Sequence, residues 1–162
     1  SKIYSASVNT VRMIVFKKDG INPEIGNAYI RIGSKKTGTV DNVSAGGLVA
    51  TIDIETGRIY NGRSIDNNKI EPIRCHPDTG TKLEGILPNW DIIKTNVLNI
   101  ARELKQIEYF GFDVAITENG FKLPEINRSP DYPKIENYTS LTNDYMLHKV
   151  KNRRMRYGIP EE

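Results

Sequence analysis

The sequence predicts an α+β domain, an antiparallel sheet with helices packed on it. Two observations carry that prediction. The first half holds short β-branched and apolar segments separated by turn residues. After it come a segment of clear helical periodicity, a hairpin pattern and a second helical pattern, in that order.

Val8 to Lys17 is dense in β-branched and apolar residues and ends at the turn pair Asp19-Gly20. Ala28 to Gly33 and Leu48 to Ile54 alternate as strands do, and Glu55-Thr56-Gly57 reads as a hairpin turn into Arg58 to Tyr60. Lys35 to Gly47 and Asn61 to Asn89 read as irregular. Trp90, Ile93, Val97, Ile100, Ala101, Leu104 and Ile107 recur at steps of three and four, which places them on one helical face. Asn89 suits an N-cap and Asp91 suits the first turn. The hairpin comprises Phe110 to Thr117 and Phe121 to Asn127, and a second helix is expected from Glu136 to about Arg154.

A chain of 162 residues fits one domain and is long enough to bury roughly 70% of its unfolded surface. Hydrophobic content of 38%, charged content of 27% and a mean hydropathy of −0.49 describe a water-soluble chain. No apolar run approaches the length of a membrane span, and no secretory signal opens the sequence. The single cysteine, Cys75, excludes an internal disulfide and a cysteine zinc site. It suits a reducing compartment, so the expected location is cytoplasmic. The net charge is only +3, and the run Lys149, Lys151, Arg153, Arg154 and Arg156 supplies most of the excess. Such a run can touch nucleic acid or acidic lipid, but it reads more simply as a solvated helix end whose cations favour the negative pole of the helix dipole.

The stretch from Gly111 to Pro130 holds the residues best suited to chemistry, Asp113, Glu125 and Asn127. Whether the two carboxylates cooperate depends on the turn between their strands. A two-residue Asn119-Gly120 turn would put Asp113 opposite Ile126 and the acids on opposite faces. A three-residue loop, Glu118-Asn119-Gly120, with Gly120 left-handed would pair Thr117 with Phe121 and Asp113 with Glu125. The second register is the expectation. It opposes two carboxylates about 4.5–5.5 Å apart, a repulsion that a divalent cation converts into binding. Magnesium is the ion that one or two carboxylates hold together with substrate phosphates, and the Asn127 amide oxygen suits it too.

A strand bearing Asp, a short hairpin and then Glu-x-Asn with Pro shortly after resembles the metal-binding end of ATP-grasp enzymes. Three further pieces fit in order along the chain. Val8-Asn-Thr-Val-Arg12 is similar to the strand that opens the second ATP-grasp subdomain, and Asp41-Asn42 through Gly46-Gly47 to a ligase Asn-x-x-x-Gly-Gly loop. His76-Pro77-Asp78-Thr79-Gly80, followed by Gly85, Pro88 and Trp90, resembles the segment before the helix in sugar-transfer-associated ATP-grasp proteins. The likeness spans roughly Val8 to Pro130 and implies the C-terminal subdomain of that fold.

The resemblance implies an ATP-dependent ligase. A substrate carboxylate, small or sugar-linked, attacks the γ-phosphate of ATP, and an amine or similar nucleophile captures the acylphosphate; the resemblance to the sugar-transfer-associated proteins implies a step in cell-surface polysaccharide synthesis. Asp113, Glu125 and Asn127 would hold Mg2+. Arg12 is the candidate for contact with phosphate or acylphosphate, and Asn42, Gly46, Gly47 and Arg128 are candidates for the nucleotide. His76 and Asp78 receive no catalytic role. Ligases that join D-alanine residues carry Arg two positions before the metal-binding Asp, where this chain has Gly111. The subdomain with the nucleotide-gripping lysines normally precedes the strand at Val8, so the chain is expected to be a piece of a longer protein and inactive alone. On this reading Asp113→Asn and Glu125→Gln abolish turnover and leave the fold intact. Two other readings stay open: a non-catalytic binding or scaffold domain of the same fold, and a nucleic-acid-binding module using the basic C-terminal end.

Overall fold

The computed structural model describes residues 6–39, 46–66, 69–117, 120–128 and 130. The expected second helix, the basic run near the C-terminus and Asn42 lie outside these residues.

β1 (Thr10–Lys17) is the strand on which the rest is built. Its β-branched and aromatic residues suit a strand buried on both faces, and every position in it is buried. β2 (Pro23–Ile32) and β7 (Tyr109–Thr117) flank it, both antiparallel. Outward from β2 run β3 (Leu48–Ile52), β4 (Arg58–Asp66) and β5 (Lys69–Pro72), with β6 (Gly85–Ile86) also beside β4. β8 (Gly120–Asn127) forms the edge next to β7. The predicted α+β architecture is therefore present among the described residues, as an eight-stranded antiparallel sheet with helix α1 (Trp90–Glu103).

Alternation sorts the two faces. Val11, Met13 and Val15 join Ala28, Ile30, Leu48, Ala50, Phe110, Phe112 and Val114 in one core with Trp90, Ile93, Val97 and Ala101 of α1. Each buried Val, Leu, Ile, Phe or Met among them is worth roughly 1.5–3 kcal/mol over exposure. The helical face is the predicted one as far as Ala101, but α1 ends at Glu103: Leu104 caps it and Ile107 lies beyond it, and both pack half-buried with Ile100 against the same core.

Asn89 is not the side-chain cap that the sequence suggests. It is left-handed (φ 57°, ψ 27°) and its side chain makes no capping bond. Trp90 anchors the helix start instead: its indole Nε1–H donates to the Ile54 carbonyl at 2.8 Å. The ring lies against Gly57, where a Cβ would stand 2.6 Å from Trp90 Cγ and where φ is +72°. At the other end, the buried Lys17 ammonium donates to the Leu104 carbonyl at 2.8 Å, placing a cation at the negative pole of α1.

The stretch 61–89 was expected to be irregular but contains most of β4 and all of β5 and β6. Strand alternation is hidden there for a physical reason. Thr51 pairs with Tyr60 but Val49 pairs with Arg63, so Asn61 and Gly62 together face Ala50 as a bulge. Asn61 takes a positive φ of 51° at that point. β5 is exposed at every position and carries no apolar alternation to detect.

Candidate functional site

The face turned away from α1 carries the polar residues. Arg12 stands directly opposite Tyr29 on β2 and Asp113 on β7, and Asp113 stands directly opposite Glu125 on β8. Directly opposed residues share a face, so Tyr29, Arg12, Asp113 and Glu125 form one row across four strands. Asn127 faces Gly111, one pair further along the same side.

The pairing of Asp113 with Glu125 is the one predicted, but its cause is different. Thr117 pairs with Gly120, not with Phe121, so two residues lie between the paired positions. Gly120 has φ 139°, outside the left-handed helical well. Continued unbroken, that register would put Asp113 opposite Pro124. Instead Leu123 and Pro124 together face Val114, and this extra residue brings Glu125 opposite Asp113. Proline has no N–H to give a ladder, so a bulge on an edge strand accommodates it.

Asp113 is buried, with 4% of its surface exposed. Its Oδ1 accepts from Arg12 Nε, and its Oδ2 accepts from Arg12 Nη2 at 2.9 Å and Arg31 Nη2 at 2.7 Å. Arg31 also donates to Thr10 Oγ1 from Nε at 3.1 Å and Nη2 at 2.7 Å. Burial works against the charge on Arg12, but the hydrogen bond and charge of Asp113, with Tyr29 and Glu125 adding to them, outweigh it. The Arg12 pKa therefore lies above the ordinary arginine value. Gly111 makes room for this arrangement: a Cβ there would come within 3.1 Å of Arg12 Cδ and 2.7 Å of Pro130 Cβ. The Arg12 stem covers the position at which D-alanine-joining ligases have their own arginine.

A test of whether magnesium suits these residues turns on the oxygens left open. Two carboxylate oxygens offer about four lone-pair sites, and the guanidiniums occupy three of those on Asp113. One remains, on Oδ1. Glu125 is exposed, and Asn127 is half-buried beside it. Magnesium usually takes one or two carboxylates together with substrate phosphates, so Glu125 and Asn127, with the last site of Asp113, fit it. No cluster of three or more His, Cys, Asp or Glu side chains occurs among the described residues, so the set depends on the asparagine oxygen.

The remaining candidates are elsewhere. Gly46 and Gly47 precede β3, beyond the end of the sheet at which β2 stops. The Gly46 carbonyl accepts from Ser34 Oγ at 3.0 Å. Gly46 lines a cavity of about 580 Å3 with Ser34, Lys36 and Asp78. Arg128 is exposed just past β8. His76 is a buried pin: the Asp78 N–H donates to its Nδ1 at 3.1 Å, so its Nε2 carries the proton and donates to the Gly33 carbonyl at 2.8 Å. Asp78 in turn accepts from the Lys35 N–H at 2.8 Å, so the His-Pro-Asp-Thr-Gly segment is a turn that clamps the end of β2. Sequence reasoning missed Arg31, although a charged residue inside the apolar strand Ala28 to Gly33 is the kind of exception that needs a partner.

The model of the sugar-transfer-associated ATP-grasp family matches residues 1–152 of the chain. No curated protein and no solved structure matches it. Among the described residues no helix is long and apolar enough to cross a membrane. The order of motifs along the strands, the antiparallel sheet and the family match agree, and the chain belongs to the sugar-transfer-associated ATP-grasp family as a ligase-like domain.

Proposed function

We propose that the row Arg12, Asp113 and Glu125, with Asn127, is the phosphate and magnesium site of an ATP-dependent carboxylate ligase. The observation that carries this reading is the direct opposition of Asp113 and Glu125, with Asn127 on the same face. Bound there, magnesium would neutralise phosphate charge during attack by a carboxylate. Glu125 supplies an exposed carboxylate to it and Asn127 an amide oxygen on the same face, and Asp113 supplies one lone pair while fixing Arg12 and Arg31. Arg12, held bidentately, is aimed along the row and orients phosphate oxygens without moving. Gly46, Gly47 and Arg128, with Asn42, are assigned to the nucleotide or its acceptor. The acceptor is a small or sugar-linked carboxylate, and the proposed setting is cytoplasmic polysaccharide synthesis. The nucleotide-gripping subdomain is proposed to come from elsewhere in a longer protein.

The occupation of Asp113 by two guanidiniums favours a second reading, a binding or scaffold domain that keeps the fold without turnover. Carboxylate-dependent release of ADP by the full-length protein separates the two. The ligase reading predicts release that Glu125→Gln abolishes while the fold persists. Turnover unchanged by Glu125→Gln would remove the assignment, and an absence of both ATP binding and release would select the scaffold.

A further inference from the structure

We propose that the open cavity between β4, β6 and residues 72–75 is a second binding site, for a polyanion carrying at least two phosphate or carboxylate groups. The cavity holds about 1070 Å3 and is lined by Arg58, Arg63, Arg74 and Lys82 against a single acid, Glu84. Lys82 Nζ lies 3.2 Å from Glu84 Oε1, so those two charges answer each other. The guanidiniums have less relief: Asp53 acts on Arg58 only from beyond ion-pair distance. Among the described residues no carboxylate stands within ion-pair distance of Arg58, Arg63 or Arg74. Arg58 lies over the Tyr60 ring, 5.6 Å from its centroid, and Arg63 is half-buried. Like charges gathered at a partly desolvated surface repel, and a bound oxyanion removes that cost while engaging each guanidinium bidentately.

The position of the cavity makes it more than a surface patch. Tyr60 pairs with Thr51, Thr51 with Tyr29 and Tyr29 with Arg12, so Tyr60 belongs to the row that ends at Asp113 and Glu125. Arg63 is linked in the same way through Val49 to Arg31. Three strand spacings separate Tyr60 from Arg12, roughly 14 Å at about 4.7–4.9 Å each. A ligand gripped here lies beside β4, outside the Asp113 row. The proposal needs only the cavity and its charges, and holds whether or not the row takes magnesium. Two sources carry the required chemistry, an acidic sugar and the phosphates of a nucleotide.

The test is an amide NMR titration of the chain with inorganic pyrophosphate in metal-free buffer. Saturable shifts are expected at Tyr60, Gly62, Arg63, Arg74 and Lys82. Replacing Arg63 and Arg74 together by Ala should weaken affinity about tenfold or more, because it removes charge-assisted hydrogen bonds to the anion. Arg74→Gln alone, at an exposed position, gives a second variant that keeps the fold and should weaken binding in the same direction. Competition then identifies the source: displacement by a sugar bisphosphate selects an acidic acceptor, and displacement by metal-free ATP selects the nucleotide. Shifts centred on Arg12, Asp113 and Glu125, affinity unchanged in the variants, or displacement by neither competitor would overturn the proposal.

Discussion

Replacing Asp113 by Asn leaves the shape of the side chain and removes its charge, and the structure predicts a large loss of stability. Asp113 and Arg12 have side-chain exposures of 5% and 7%, and Arg31 has 20%. An asparagine retains one acceptor oxygen but turns an amide donor toward guanidinium donors, leaving Arg12 buried without its hydrogen-bonded counter-charge. Removing one partner of a buried ion pair costs about 3–5 kcal/mol. With a urea m-value of about 2–3 kcal/mol/M, the midpoint of equilibrium unfolding should fall by about 1–2.5 M at unchanged slope. Glu125→Gln, at an exposed position on the edge strand, should stay within about 0.5 kcal/mol of the parent. An Asp113→Asn protein that unfolds at the parental midpoint would show that the carboxylate does not hold the two arginines. This contrast also revises what the motif alone suggests. Loss of activity in Asp113→Asn would not by itself identify a metal ligand, whereas loss in Glu125→Gln would be informative.

Gly57→Ala should destabilise the protein by about 2–4 kcal/mol, since the residue would be strained at φ +72° and its Cβ driven into Trp90. Thermal unfolding followed by Trp90 fluorescence measures it, and a parental transition would contradict the packing described. Asp19 should titrate near pH 2, because the backbone N–H of Asn22, then that of Ile21 and the Asn22 side-chain amide, stabilise its charged form. A depressed carboxylate pKa adds stability that is complete above the ordinary value of 3.8 and is lost as pH falls toward 2. Carboxyl NMR reads the midpoint, and a value near 4 would exclude the Asp19-Asn22 turn.

The sequence carried more of this arrangement than of its causes. Periodicity identified the buried face of α1 because a helix packed on one side repeats its apolar residues every three or four positions. The pairing of Asp113 with Glu125 is legible in its result, but a left-handed Gly120 is not its cause. The bulge at Leu123 and Pro124 sets it instead, and the missing proline N–H is the signal that was available. β4 was cut short at Tyr60 because the Asn61-Gly62 bulge reverses the order of inward and outward residues. The grip of Arg31 on Asp113 spans 82 positions of sequence and depends on the order of β2, β1 and β7, which local patterns do not encode.

Paramagnetic broadening by Mn2+–ATP in the full-length protein examines the proposed phosphate site at the level of single residues. Manganese takes the same oxygen donors as magnesium and erases amide signals close to it. The proposal predicts loss of signal at Asp113, Glu125 and Asn127, with Glu125→Gln restoring it. Broadening that spares these three, or that persists unchanged in Glu125→Gln, would place the nucleotide elsewhere on the protein.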